Sequence, residues 1–132
     1  MEVNTIKKEI QVKSLNRVRN HGEVLTASCE VEAMLDLVKN ESERIDSRFL
    51  EPACGDGNFL VAILKRKLAT VTARYKTKRT DFEVQMLSAL SSIYGIDLLQ
   101  DNIELAINRM LDIAIKIYKK ALRAYPDDNY KQ

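Results

Sequence analysis

The 132-residue chain predicts a three-layer α/β fold built on a parallel sheet, two strands of which are recognisable between flanking helices. Three observations lead there. An apolar stub, Phe49 and Leu50, runs through Glu51 into two glycines one residue apart, Gly55 and Gly57. A helical apolar spacing follows at once in Phe59, Leu60, Ile63 and Leu64, which reads as strand, tight turn and helix. Further on, Ile93-Tyr94-Gly95-Ile96 forms a second short apolar run ending at an acid, Asp97. The composition agrees: 45% hydrophobic, mostly aliphatic, with 6% aromatic residues and no tryptophan, ordinary for an α/β chain. A glycine turn at the carboxyl end of a first parallel strand is where such folds bind nucleotide-like ligands. There the backbone can approach closely, and the new helix aims unpaired N–H groups outward.

The elements follow in order. Residues 1–20 are polar and basic, with room for one short helix. Ser28 is placed to cap a helix whose stripe is Val31, Met34, Leu35 and Val38. Lys39 to Ser47 reads as a charged linker with one apolar residue, Ile45. After the first strand, a helix runs from about Asn58 to Lys67, while Thr70 to Thr80 mixes β-branched and charged residues without a clear preference. Asp81 opens an amphipathic helix carrying Phe82, Val84, Met86, Leu87 and Leu90, which delays the second strand. Asp101 to about Ala124 is one long helix with Ile103, Ala106, Met110, Ile113, Ile117 and Ala121 on a stripe. Leu111, Ile115 and Tyr118 widen that stripe towards a second cover. Pro126 and the polar Asp127-Asp128-Asn129 end it. Residues 1–27 thus form an amino-terminal arm, and residues 28–132 the α/β body.

Charge and cysteines exclude more than they assign. A net charge of +2 is too small to argue for nucleic acid by itself. Seven basic residues between Lys65 and Arg79, with no acid among them, are expected to be a solvated face rather than a phosphate contact. Lys65 to Lys67 would there complement a helix carboxyl end. Cys29 and Cys54, with a single histidine, His21, give neither a zinc pattern nor a disulfide framework. Cys54 is expected to be a packed thiol and His21 a solvated side chain. No signal peptide or membrane-length apolar run is present, so a cytoplasmic chain is expected.

The identity of the ligand turns on detail. The dinucleotide fingerprint needs Gly-x-Gly-x-x-Gly and an acid about twenty residues on. Here the third position is Leu60, and Asp97 comes 40 residues after Gly57. The contiguous Glu51-Pro52-Ala53-Cys54-Gly55-Asp56-Gly57-Asn58-Phe59 instead closely resembles the first motif of S-adenosylmethionine-dependent methyltransferases. In particular it is similar to the form found in adenine-specific DNA methyltransferases of restriction–modification systems. Two segments in the family's order agree. Gly22-Glu23-Val24-Leu25-Thr26-Ala27 resembles its Gly-x-x-x-Thr-Pro segment, with Ala27 in place of the proline. Ile93 to Leu98 resembles its second motif.

The resemblance implies a partial class I methyltransferase fold, Rossmann-like, with S-adenosylmethionine as cofactor. It implies that Glu51, Ala53, Cys54, Gly55, Gly57 and Asn58 surround the methionine and sulfur end. Thr26 would lie over the carboxylate, and Asp97 would hold the ribose with Leu98 beside it. In the whole enzyme an adenine would be flipped out of DNA and methylated at N6, with a specificity or restriction subunit as a further partner. No catalytic residue is expected here. The family's catalytic motif carries adjacent prolines, and this chain has only Pro52 and Pro126. The expectation is therefore the amino-terminal, cofactor-binding half of a larger enzyme, or a truncated product, inactive alone. An RNA or protein-glutamine amide methyltransferase, or a non-catalytic cofactor-binding subunit, stand as alternatives; a Rossmann oxidoreductase is disfavoured by Leu60.

Overall fold

The structure, a computed structural model, describes residues 11–125; the expected terminator at Pro126 and its polar tail lie outside them. The elements are α1 (Leu15–His21), α2 (Ser28–Leu37), α3 (Lys39–Glu43), β1 (Phe49–Glu51), α4 (Asn58–Arg74), α5 (Arg79–Ser91), β2 (Ile93–Gly95) and α6 (Gln100–Leu122). The two strands pair in parallel, with Phe49 opposite Ile93, Leu50 opposite Tyr94 and Glu51 opposite Gly95. The ladder continues past the strands: Ile96 N–H donates to the Glu51 carbonyl and Cys54 N–H to the Ile96 carbonyl, each at 2.9 Å. The α/β class and both strands stand as expected.

The three layers do not. Phe49 and Ile93 turn into the core, but Leu50, Tyr94 and Ile96 on the opposite face are 63%, 50% and 54% exposed. Among the described residues the helices cover one face of the sheet only.

Helix α4 is the axis of the body. Leu60 to Leu64, Lys67, Leu68 and Val71 are all buried along it. Leu64, Leu68 and Val71 meet Phe82, Met86 and Ala89 of α5 and Ala114 of α6. Ala62 and Ile63 meet Val31 and Leu35 of α2. The helix outruns its expected end at Lys67 by seven residues (74 − 67), because burial of Val71 outweighs a weak local propensity. Thr70 and Thr72 fit the helix by turning their hydroxyls onto the Arg66 and Leu68 carbonyls.

Other expectations are corrected by the same packing. Ser28 is the first helical residue, not the cap. Ala27 stands at the N-cap, its carbonyl accepting from Glu30 and Val31 N–H, and the Glu30 carboxylate accepts from Ala27 N–H. In α2 only Val31 and Leu35 are buried; Met34 and Val38 are exposed, as are Val84 and Leu87 of α5. The supposed linker contains α3, anchored by buried Ser42 and Ile45. In α6, Leu111 and Ile115 remain exposed rather than meeting a second cover.

The basic run is not one solvated face. Arg66 pairs with Glu32 and Asp36 of α2 at 2.6 and 2.7 Å. Lys67 is 0% exposed. Its ammonium donates to the carbonyls of Arg44, Ile45 and Ser47 and to Ser92 Oγ, at 2.9, 3.0, 2.5 and 2.9 Å, and sits 5.4 Å from the centre of the Phe49 ring. A lysine in the middle of α4 therefore pins the segment that leads into β1.

Candidate functional site

At the carboxyl ends of β1 and β2 the chain encloses a pocket of about 280 Å³. Gly55 of the glycine turn lines its floor, with Gly57 behind. Gly55 and Gly57 both adopt left-handed φ, 53° and 93°, a region L side chains enter only with strain. Each glycine also meets a neighbour. A Cβ on Gly57 would lie 2.8 Å from the Ala106 Cβ of α6, and one on Gly55 would lie 3.1 Å from Leu25 Cδ2 of the arm. Gly57 therefore lets α6 press against the turn. It stands behind the pocket, whereas Thr26, Glu51, Ala53, Cys54, Gly55, Asn58, Asp97 and Leu98 line it.

The third fingerprint position now has a physical reading. In dinucleotide folds the last glycine lets helix and strand approach. Here Leu60 occupies that point and the glycine is on the strand instead: a Cβ at Gly95 would fall 2.6 Å from Leu60 Cδ1 and 3.1 Å from Cys54 Sγ. The size swap keeps α4 close to β2 and buries Leu60 with Cys54 and Ala106. Cys54 is a packed thiol. Burial pushes its pKa up, helped by the carboxylate charges of Asp97, Glu51 and Asp56, so it stays protonated and is no nucleophile.

Asp97 faces the turn from the end of β2. Its Oδ2 accepts from Gly55 N–H at 2.9 Å; its Oδ1 accepts from Leu99 N–H at 2.8 Å and from Asn102 Nδ2 at 3.2 Å. A carboxylate has about four acceptor positions, so one remains open to a ligand. Leu98 beside it is 93% exposed at the rim, an apolar surface free to meet a flat ring. Glu51 Oε1 accepts from Ala53 N–H at 3.2 Å. Asn58 acts as a tie: its Nδ2 donates to the Thr26 carbonyl at 2.9 Å, and its Oδ1 accepts from Arg109 Nη1 at 3.0 Å. His21 and Gly22 lie on the arm side of the same pocket.

Among the described residues, four carboxylates line the pocket, those of Glu23, Glu51, Asp56 and Asp97, and no lysine or arginine does. Glu23 is paired with Arg17, and Asp56 with Arg109 at 3.2 Å. Among the described residues no basic side chain forms an ion pair with Glu51 or Asp97.

Three contributors escaped the sequence reading: Arg109, Asn102 and Glu23. Arg109 Nη1 donates to the Asp56 carbonyl at 2.7 Å and so holds the turn from α6. Asn102 is 1% exposed and joins Asp97 to the arm. Their spacing carried a signal. Asn102, Ala106 and Arg109 follow one another at four and three residues, one face of a helix aimed at the turn. No protein-family model matches the chain, and no curated protein and no solved structure matches it either.

Proposed function

We infer that this chain binds S-adenosylmethionine, as the cofactor-binding part of an adenine-specific DNA methyltransferase with a Rossmann-like class I fold. The observation that carries the reading is the charge of the pocket. A glycine turn ringed by Glu51 and Asp97, without a lysine or arginine among the described residues of the lining, repels a pyrophosphate and suits a sulfonium cation. The nonapeptide from Glu51 to Phe59 supports it, since Gly55 lines that pocket and Gly57 lets the turn close behind it.

The groups present fit such a ligand. Asp97 has one acceptor position left for a ribose hydroxyl, and Leu98 offers the apolar rim for an adenine. Glu51 supplies negative charge near the sulfur end, and Thr26 closes the arm side. The volume of about 280 Å³ is just below that of a small-molecule site, roughly 300–1,000 Å³, in keeping with a pocket completed by further protein. The cofactor, when bound, supplies the methyl group. The work of these residues is to orient it and to hold its charge. DNA, and a specificity or restriction subunit, would be met by the complete enzyme. No helix among the described residues is long and apolar enough to cross a membrane.

Calorimetric titration tests the reading. S-adenosylmethionine or its demethylated product should bind in preference to NAD, in the micromolar-to-millimolar range of about −8 to −4 kcal/mol. Tighter binding of NAD would overturn it. In a second assay, adenine-rich duplex incubated with the chain and radiolabelled cofactor should give background counts, because no two prolines are adjacent to build the clamp for a target amine. Robust incorporation would show that the chemistry lies within this chain after all.

A further inference from the structure

The polar groups that hold the arm to the body converge on one buried side chain. Asn102 opens the first turn of α6 and is 1% exposed. Its Nδ2 donates to Glu23 Oε1 at 2.6 Å and to Asp97 Oδ1 at 3.2 Å. Its Oδ1 accepts from Lys13 Nζ and from Arg17 Nη2, the latter at 3.2 Å. Arg17 then spreads its fork over two carboxylates. Nε and Nη2 donate to Glu23, and Nη1 and Nη2 to Asp101 at 2.6 and 3.2 Å. The guanidinium holds the Glu23 carboxyl below its usual range, chiefly through these hydrogen bonds.

These bonds fasten a segment with a joint in it. Helix α1 ends at Gly22 with φ of 63° and open space around its Cα. From there Glu23 to Thr26 runs along the pocket. Leu25 N–H bonds the Gln11 carbonyl at 2.7 Å, and the Leu25 side chain packs over Gly55. At the far end, the Thr26 carbonyl accepts a hydrogen bond from Asn58 Nδ2. Leu25 apart, the apolar residues of this strip do little to hold it: Val24 is 60% exposed and Leu15 of α1 is 84% exposed. Charge-assisted bonds from Arg17 and the bridge through Asn102 are what keep it down.

We propose that residues 13–26 form a latched cover on the pocket, closed on α6 by Arg17 against Asp101 and Asn102 and by Glu23 against Asn102, with Asn102 transmitting the position of the cover to Asp97. The cover loosens from α6 and bends at Gly22 when Arg17 lets go. Because Asn102 bonds Glu23 and Asp97 at once, lifting the arm releases the bond that fixes the Asn102 amide beside Asp97, and a ligand on Asp97 is felt by the arm. The two are coupled in both directions. The proposal of a latch needs no ligand, and its link to S-adenosylmethionine rests on the function inferred above.

Arg17→Gln tests the latch directly, with Arg19→Gln on the exposed side of the same helix as control. Hydrogen–deuterium exchange is measured on the unliganded chain. In Arg17→Gln the amides of Val24 to Thr26 should exchange about tenfold faster, while the buried turns of α4 keep their wild-type rates, as expected of local opening. Arg17→Lys should fall between, since an ammonium cannot bridge Glu23 and Asp101 with a planar fork. Unchanged exchange at Leu25 would overturn the latch, and so would equal acceleration throughout α4, which reports global loss of stability. Rapid-mixing measurements with S-adenosylmethionine form the second arm, and both association and dissociation should quicken in Arg17→Gln. Rates identical to wild type would break the link between cover and ligand. Failure of the wild-type chain to bind the cofactor at all would remove the function inferred above, while the exchange comparison still decides the latch.

Discussion

Lys67→Met lowers the stability of the fold by about 4 kcal/mol, the largest effect expected of any single substitution away from the pocket. Methionine can follow the buried course of the lysine stem, so the loss is in the head group. Removing the ammonium leaves the Arg44, Ile45 and Ser47 carbonyls without the donor that joins them. Each buried acceptor left without a partner costs about 1–3 kcal/mol. Ser92 Oγ, 3.3 Å from the Ile45 carbonyl, protects it little, because the single hydroxyl hydrogen has a shorter bond to the Ala89 carbonyl at 2.7 Å. Against a total of roughly 5–15 kcal/mol for a small domain, such a loss lowers the melting temperature by about 15 °C. Urea denaturation gives the number directly. The neighbouring exposed Lys65, changed in the same way, should stay within about 0.5 kcal/mol of wild type. A Lys67→Met protein within about 1 kcal/mol of wild type would show that the carbonyls find water instead.

Lys67 also marks where sequence reasoning succeeds and fails in this chain. The strand-turn-helix from Phe49 to Leu64 was legible because its determinants are local: two glycines, an acid and an apolar spacing within sixteen residues. The long stripe on α6 was legible for the same reason. Its basic neighbours mark Lys67 as a surface charge, yet it stands seven residues after Leu60 and three after Leu64, on the apolar stripe itself. Periodicity outranked charge here, and the fold resolved the conflict by wrapping the ammonium in carbonyls.

The pocket divides in the same way. Its floor and Asp97 could be found from short motifs. Its fastenings could not, because they join residues 53 apart in Arg109 to Asp56, 85 apart in Arg17 to Asn102, and 79 apart in Asn102 to Glu23. One strand's worth of alternation likewise says nothing about whether Leu50 and Tyr94 will be covered.

Asp97→Ala should weaken the fold and the pocket together, and the two losses can be separated. The structural loss comes from the bonds the carboxylate already makes. Gly55 N–H and Leu99 N–H lose their acceptor, and Asn102, buried at 1%, keeps only Glu23 on its amide side. With some of these donors reaching water, about 2 kcal/mol of stability is lost. The binding loss comes from the one acceptor position left for a ribose hydroxyl. A single charge-assisted hydrogen bond contributes about 1.5–3 kcal/mol, so affinity for S-adenosylmethionine should fall by about 2 kcal/mol, or roughly thirtyfold. Asp97→Asn discriminates between the two. Its remaining carbonyl oxygen can serve Gly55 or Leu99 and recover part of the stability, but the lost charge still weakens the hold on the ligand. Denaturation midpoints and dissociation constants for both variants decide the matter. If both variants are destabilised and bind S-adenosylmethionine as tightly as wild type, Asp97 is a brace between the turn and α6 and nothing more. The pocket would then lose the residue on which a ribose has to rest.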